Sequence, residues 1–225
     1  MKKAKYIVFE GTEGVFKTTQ AKLLTDYLRS KGYKVLQTKE PGSEHIPLTM
    51  ELRKIMLDNK YDSILTGPAR EFLSQAIRSI HLERLIVPAL SEYDYIIQDR
   101  GILSGYAYGK ACGNDASDLE RFASMNINSA NKDTNIFPTY PEQIYDEVIL
   151  LSSDPIEALD RAKSVKQEFA SGDAMESRGD EFIISVADNM SYFSSRFNTS
   201  IIYVDNKSRE DIHHEILSSL NLKDV

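Results

Sequence analysis

Short apolar runs alternate along the chain with longer stretches in which hydrophobic residues recur every three or four positions. YIVFE (6–10), YKVLQT (33–38), YDYIIQD (93–99), EVILL (147–151) and IIYV (201–204) predict five strands. After the first, Leu23, Leu24, Tyr27 and Leu28 share a helical face that stops near Gly32. Pro41-Gly42 breaks the second strand, a helix follows around Leu52 to Leu57, and a long helix is predicted from about Ala69 to Leu90. IHHEILSSL closes the chain as an amphipathic helix. This rhythm predicts an α/β fold: a five-stranded parallel sheet covered by helices on both faces, with ligands at the carboxyl ends of the strands. The Asn-, Pro- and Ser/Thr-rich stretch 126–143 reads as a surface excursion.

Length and composition narrow the class. With 225 residues, 41% of them hydrophobic, the chain suits one domain over 1–225. A net charge of -7 and a pI of about 5.2 exclude a nucleic-acid or anionic-membrane surface as the main partner, because such binding needs cations to release counterions. The lone Cys112 allows no internal disulfide, no metal-ligand spacing of Cys or His is present, and MKKAKYIVFEG lacks a cleavage site. A cytoplasmic, soluble protein acting on small molecules is the expectation.

GTEGVFKTT (11–19) carries the chemistry. A glycine directly after a strand, with Lys17-Thr18-Thr19 opening a helix, sets backbone N–H groups and a helix N-terminus around an anion. In this phosphate loop Gly11, Gly14, Val15, Phe16, Lys17, Thr18 and Thr19 are the candidate cofactor-binding residues; Lys17 would reach the β and γ phosphates of ATP, and Thr18 would ligate Mg2+. Phe16 stands where such loops carry a second glycine. The expectation is a negative φ at Phe16 with its Cβ outward, and only a small gain in ATP affinity on Phe16→Gly.

Phe9-Glu10-Gly11-Thr12-Glu13-Gly14, Lys17-Thr18-Thr19-Gln20, Glu40-Pro41-Gly42, Leu52-Arg53, Ala76-Ile77-Arg78, Pro88-Ala89-Leu90, Asp99-Arg100, Ser104 and Ala107-Tyr108 follow one another as in thymidylate kinases, which the chain resembles over nearly its whole length. The resemblance implies a P-loop kinase that moves the γ-phosphoryl of ATP onto a deoxynucleoside monophosphate, dTMP or a 5-modified deoxyuridine monophosphate, with Mg2+, in a homodimer with a mobile lid. Holding two anions in line demands cations. Lys17, Arg100 and Arg53 supply them, Asp99 orients Mg2+ or its waters, and Lys39 stands where the family often has arginine. A surface ion pair is the plain alternative for Asp99-Arg100. By the resemblance Glu13 accepts from the 3′-hydroxyl of the sugar, Tyr108 packs beneath it, and Pro41, Ser104 and Arg78 line the acceptor site.

On the long helix, Ser74, Arg78 and His81 share one face, read as base-contacting or simply solvated, while Phe72, Leu73, Ala76, Ile77 and Ile80 are expected to serve the core. The family usually stacks a phenylalanine on thymine at the position of Ser74. Either Phe72 or another aromatic replaces that platform, or Ser74 and Gln75 make room for a larger or more polar group at the pyrimidine 5-position. The lid, about 160–178, lacks the family's arginine in Asp173-Ala174-Met175-Glu176. Arg161 matches the family arginine near adenine, and Lys166 or Arg178 is the candidate for transition-state charge. Two other classes remain open: a deoxynucleoside kinase, and a degenerate ATP-binding module without turnover.

Overall fold

The computed structural model describes residues 4–132, 135–165 and 173–222. All five predicted strands form: β1 Lys5–Glu10, β2 Val35–Lys39, β3 Tyr95–Asp99, β4 Glu147–Ser152 and β5 Thr199–Tyr203. They pair in parallel in the order β2-β3-β1-β4-β5. Side chains alternate across a sheet, so Tyr6 and Val8 enter one core and Ile7 and Phe9 the other. Helix α1 (Lys17–Ser30) and α9 (Arg209–Ser219) cover the Ile7 face. The Tyr6 face is covered by α4 (Val87–Glu92), α5 (Ile102–Ala111), α6 (Ala116–Asn131) and α8 (Asp180–Ser194). Sequence order reverses on either side of β1, which opens the crevice where such sheets bind ligands. The described residues contain no helix long and apolar enough to cross a membrane.

Three expectations about elements need correction. The long helix forms over 67–92 but is not regular: α3 (Gly67–His81) passes through a π-helical turn at Leu82–Ile86 into α4 without leaving helical backbone angles. The supposed excursion at 126–143 begins inside α6, with Asn126 and Ile127 buried; the polar residues misled because Asn126 bonds to Gln75 inside the protein. The faces of α3 are also exchanged. Phe72 is 59% exposed and Ala76 is exposed, whereas Glu71, Gln75, Arg78 and His81 are buried together with Ile77. The polar face turns inward because it lines a pocket and its charges find partners there, which burial of such groups requires.

Candidate active site

The phosphate loop leaves β1 at Gly11 and enters α1 at Lys17. Gly11 and Gly14 both have positive φ, and a Cβ on Gly14 would stand 1.8 Å from the carbonyl oxygen of Ala158. Glycine is therefore dictated by backbone angle and space together. Val15 packs into the core beneath the loop. Phe16 corrects the expectation for its backbone: φ is +66°, in the left-handed region, at the N-cap of α1. Its ring lies 5.2 Å from the Arg161 guanidinium and 5.9 Å from that of Arg209, so stacking and the helix start hold a conformation that a side chain ordinarily avoids. Arg161, on α7 (Pro155–Val165), also donates to the Gly14 carbonyl at 3.0 Å and to Ser153 Oγ at 2.8 Å.

Lys17 folds back and donates to the Thr12 carbonyl at 2.5 Å. Burial, with the Arg100 charge close by, pulls its ammonium down to about 8. Thr18 Oγ1 donates to Asp99 Oδ2 at 2.5 Å, while Asp99 Oδ1 is buried without a hydrogen-bond partner. A hydroxyl beside a carboxylate with one orphaned oxygen, at the lip of a phosphate loop, is a donor set that fits Mg2+. Thr19 follows in the first turn of α1.

Arg100 joins this loop to a second pocket. It too has positive φ (+64°), which turns its side chain back over the loop. Its guanidinium donates to the Gly11 carbonyl (2.9 Å), Ser104 Oγ (3.1 Å) and Glu13 Oε1 (2.5 Å), and sits 5.3 Å from the centre of the Tyr108 ring. Asp99-Arg100 is thus no surface ion pair with itself: the two side chains diverge to different partners. The pocket beyond is lined by Glu13, Pro41, Arg53, Ser74, Arg78, Arg100, Ser104 and Tyr108 among the predicted residues. Arg53, on α2 (Pro47–Leu57), donates to the Pro41 carbonyl at 2.8 Å, next to a cis Glu40-Pro41 peptide. Lys39 is not brought in; it pairs with Glu44 on the surface at 2.7 Å. Phe72 is also outside, edge-on to Phe122, so it does not replace a stacking platform. Gln75 lies behind the wall, bonded to Glu71 and Asn126.

His81 is neither solvated nor a base contact. It is 1% exposed, with Nδ1 3.0 Å from Glu40 Oε1 and Nε2 2.9 Å from Thr38 Oγ1. Glu40 takes Arg78 Nε at 2.9 Å on its other oxygen. Burial pushes the Glu40 carboxyl up, but Arg78 and His81 more than offset this and hold it below its ordinary value. Of the lid candidates, Lys166 lies outside the described residues. Arg178 is placed away from the phosphate loop: it bonds to Asp62 at 3.1 Å and approaches Cys112 Sγ at 3.7 Å, beyond the far end of α5.

Sequence reasoning gave no role in the site to Glu10 and Glu40, although both stand in its motifs, nor to Arg70, Glu71, Cys112 and Asn114. Glu10 accepts from the Gly101 and Ser104 amides (2.8 and 3.2 Å) and from the Ser104 hydroxyl, satisfying the free N–H groups at the start of α5. One signal was available: Gly101, Gly105 and Gly109 recur at intervals of four. Glycine inside a helix is destabilising by about 0.5–1 kcal/mol, so a repeated one marks close approach. A Cβ on Gly105 would stand 2.7 Å from Arg78 Nη2, and one on Gly109 would stand 2.9 Å from Glu71 Oε2.

A parallel sheet in this order, with a phosphate loop after its central strand and an arginine-bearing pocket beside it, is the architecture of the P-loop nucleoside monophosphate kinases. The family model for thymidylate kinase matches residues 9–216. A thymidylate kinase of Finegoldia magna is 30% identical over 98% of this chain and 99% of its own length. That of Caldicellulosiruptor saccharolyticus is 39% identical, but over 47% of this chain and 50% of its own. Other relatives at 37–43% identity are likewise matched over only about half their length. A crystal structure of thymidylate kinase from Ehrlichia chaffeensis superposes with a TM-score of 0.68 at 22% identity, covering 97% of this chain and 99% of that one, which supports the fold. The chain belongs to the thymidylate kinase family.

Proposed function

We propose that the protein transfers the γ-phosphoryl group of ATP to dTMP or a 5-modified deoxyuridine monophosphate. The observation that carries this reading is Arg100, which binds the Gly11 carbonyl of the phosphate loop and the Glu13 carboxylate of the acceptor pocket at once. A cation shared by two anion sites serves in-line transfer, where positioning and charge neutralisation account for most of the rate. Lys17 moves from Thr12 to the β and γ phosphates. Thr18 and Asp99 would hold Mg2+, which would supply charge neutralisation on those phosphates. Arg53 and Arg100 grip the acceptor phosphate, Glu13 accepts from the 3′-hydroxyl, Tyr108 lies under the sugar, and Arg78 donates to the base. Gly11, Gly14, Val15 and Phe16 cradle the ATP phosphates, and Arg161, braced on Gly14 and Phe16, lies on the adenine side.

A neutral nucleoside would not need both Arg53 and Arg100 in its pocket, which disfavours a deoxynucleoside kinase. A homodimer is part of this proposal, and the exposed Leu48 and Ile55 on α2, Phe72 on α3 and Met125 on α6 offer apolar surface for it. ADP release from ATP and Mg2+ tests the reading, with dTMP, dUMP, 5-hydroxymethyl-dUMP, dCMP, dGMP and thymidine as acceptors. dTMP or 5-hydroxymethyl-dUMP should be turned over in preference to dCMP and dGMP, and thymidine should not. Full activity of a folded Lys17→Ala protein, or ADP release indifferent to acceptor, would refute it.

A further inference from the structure

The two walls of the acceptor pocket run antiparallel. Arg78 lies against Gly101 and Gly105, Glu71 against Gly109, and Gly67 against Cys112. Position along α3 therefore measures depth: Arg78 stands nearest the sheet, Ser74 one turn away and Glu71 two. Where a stacking ring would stand there is the half-buried Ser74, and the glycines opposite add no bulk.

Glu71 is a costly residue to place at this wall. It is 4% exposed, and a buried carboxylate is tolerated only when donors satisfy it. Its Oε1 accepts from Gln75 Nε2 at 2.5 Å, and Gln75 is fixed in turn by Asn126 Nδ2 at 2.6 Å. This relay from α6 orients the carboxylate, and Oε2 lies directly against Gly109, where an added Cβ would stand 2.9 Å from it. The neighbouring Arg70 does not neutralise it, since its guanidinium is committed to the Met56 carbonyl and Asp62. Burial raises the carboxyl above its ordinary value, while the Gln75 hydrogen bond and the Arg78 charge oppose that rise. At the other end, Arg78 Nη1 is buried with no partner. The pocket thus presents a free donor and a free acceptor from one helix face, with the Arg78 guanidinium against Gly105 and Glu71 Oε2 against Gly109, glycines one turn apart on α5 and so about 6 Å along its axis. A pyrimidine with only a methyl group at this place would leave Glu71 Oε2 without a donor.

We propose that Glu71 determines specificity, accepting a hydrogen bond from a hydroxyl- or amine-bearing substituent on the base of a deoxypyrimidine monophosphate, in the space over Ser74. The inference rests on the function proposed above. Arg78 meets a ring carbonyl, and the substituent spans Ser74 to reach Glu71. The test compares kcat/KM for 5-hydroxymethyl-dUMP and dTMP, with ATP as donor, in the wild type, Glu71→Met and Ser74→Phe. The wild type should favour 5-hydroxymethyl-dUMP at least tenfold. Glu71→Met should lower that ratio about tenfold by removing the acceptor at similar length. Ser74→Phe should shift it the same way by filling the space, and decides the matter should Glu71→Met not fold. A wild-type preference for dTMP, or a ratio unmoved in the folded variants, would overturn the role of Glu71 while leaving the kinase reading intact. No turnover of either acceptor by the wild type would overturn both.

Discussion

Replacing Phe16 by glycine and, separately, by alanine isolates the strain in the phosphate loop. Both variants lose the ring, its partial burial and its stacking on Arg161 and Arg209 at 5.2 and 5.9 Å. Two exposed cation–π contacts at about 0.5–1 kcal/mol each make alanine less stable than the wild type by about 2 kcal/mol once lost burial is included. Alanine keeps a Cβ at φ +66°, a conformation that costs about 1–2 kcal/mol. Glycine escapes that strain but loses about 0.4–1 kcal/mol through its freer unfolded chain. The difference leaves Phe16→Gly about 1 kcal/mol more stable than Phe16→Ala, or about 2–4 °C in melting temperature for a domain of this size. Urea unfolding of the three nucleotide-free proteins, with thermal melts beside it, reads the difference directly. Phe16→Ala equal to or more stable than Phe16→Gly would refute the claim that this position holds a strained left-handed backbone.

Three further outcomes follow from the site. The depressed Lys17 makes the unfolded chain, with an ordinary value of 10.5, bind more protons between about pH 8 and 10.5, so stability should rise with pH across that window. The gain is about 3 kcal/mol at most, and Lys17→Met should flatten it; the same deprotonation should make kcat/KM for ATP fall above about pH 8. Glu40→Ala leaves Arg78 buried without its counter-ion and should destabilise by about 3–5 kcal/mol in chemical denaturation. Gly105→Ala improves helix propensity but places a methyl 2.7 Å from Arg78 Nη2. Its KM for the acceptor should rise about tenfold while KM for ATP stays within twofold, and an unchanged acceptor KM would show that Arg78 does not contact the base.

The parts legible in the sequence were those where neighbours in the chain are neighbours in space. Strand periodicity, the Gly11 to Thr19 loop and the order of Arg53, Asp99 and Arg100 depend on local pattern, and the fold keeps all of them. The burial of α3 was illegible by the same logic. Periodicity separates an apolar from a polar stripe, yet it assumes that the apolar stripe faces inward, and α3 borders a ligand pocket instead. Its charged residues are buried because Glu40, 38 positions away, and Asn126, 51 positions from Gln75, meet them there.

By itself, then, the sequence determined the α/β class, the glycine-bearing loop after the first strand and the positions of Lys17, Arg53 and Arg100, the cations that the proposed phosphoryl transfer needs, since each is encoded by residue type and short spacing. Tertiary structure alone decided which oxygen or nitrogen each charge faces. It turned Phe16 left-handed under two arginines, drew Lys39 out to Glu44, moved Phe72 to the surface and aimed Glu71 into the pocket. A backbone angle or a buried charge is fixed by partners from distant parts of the chain, and those partners come together only when the sheet and its covering helices pack.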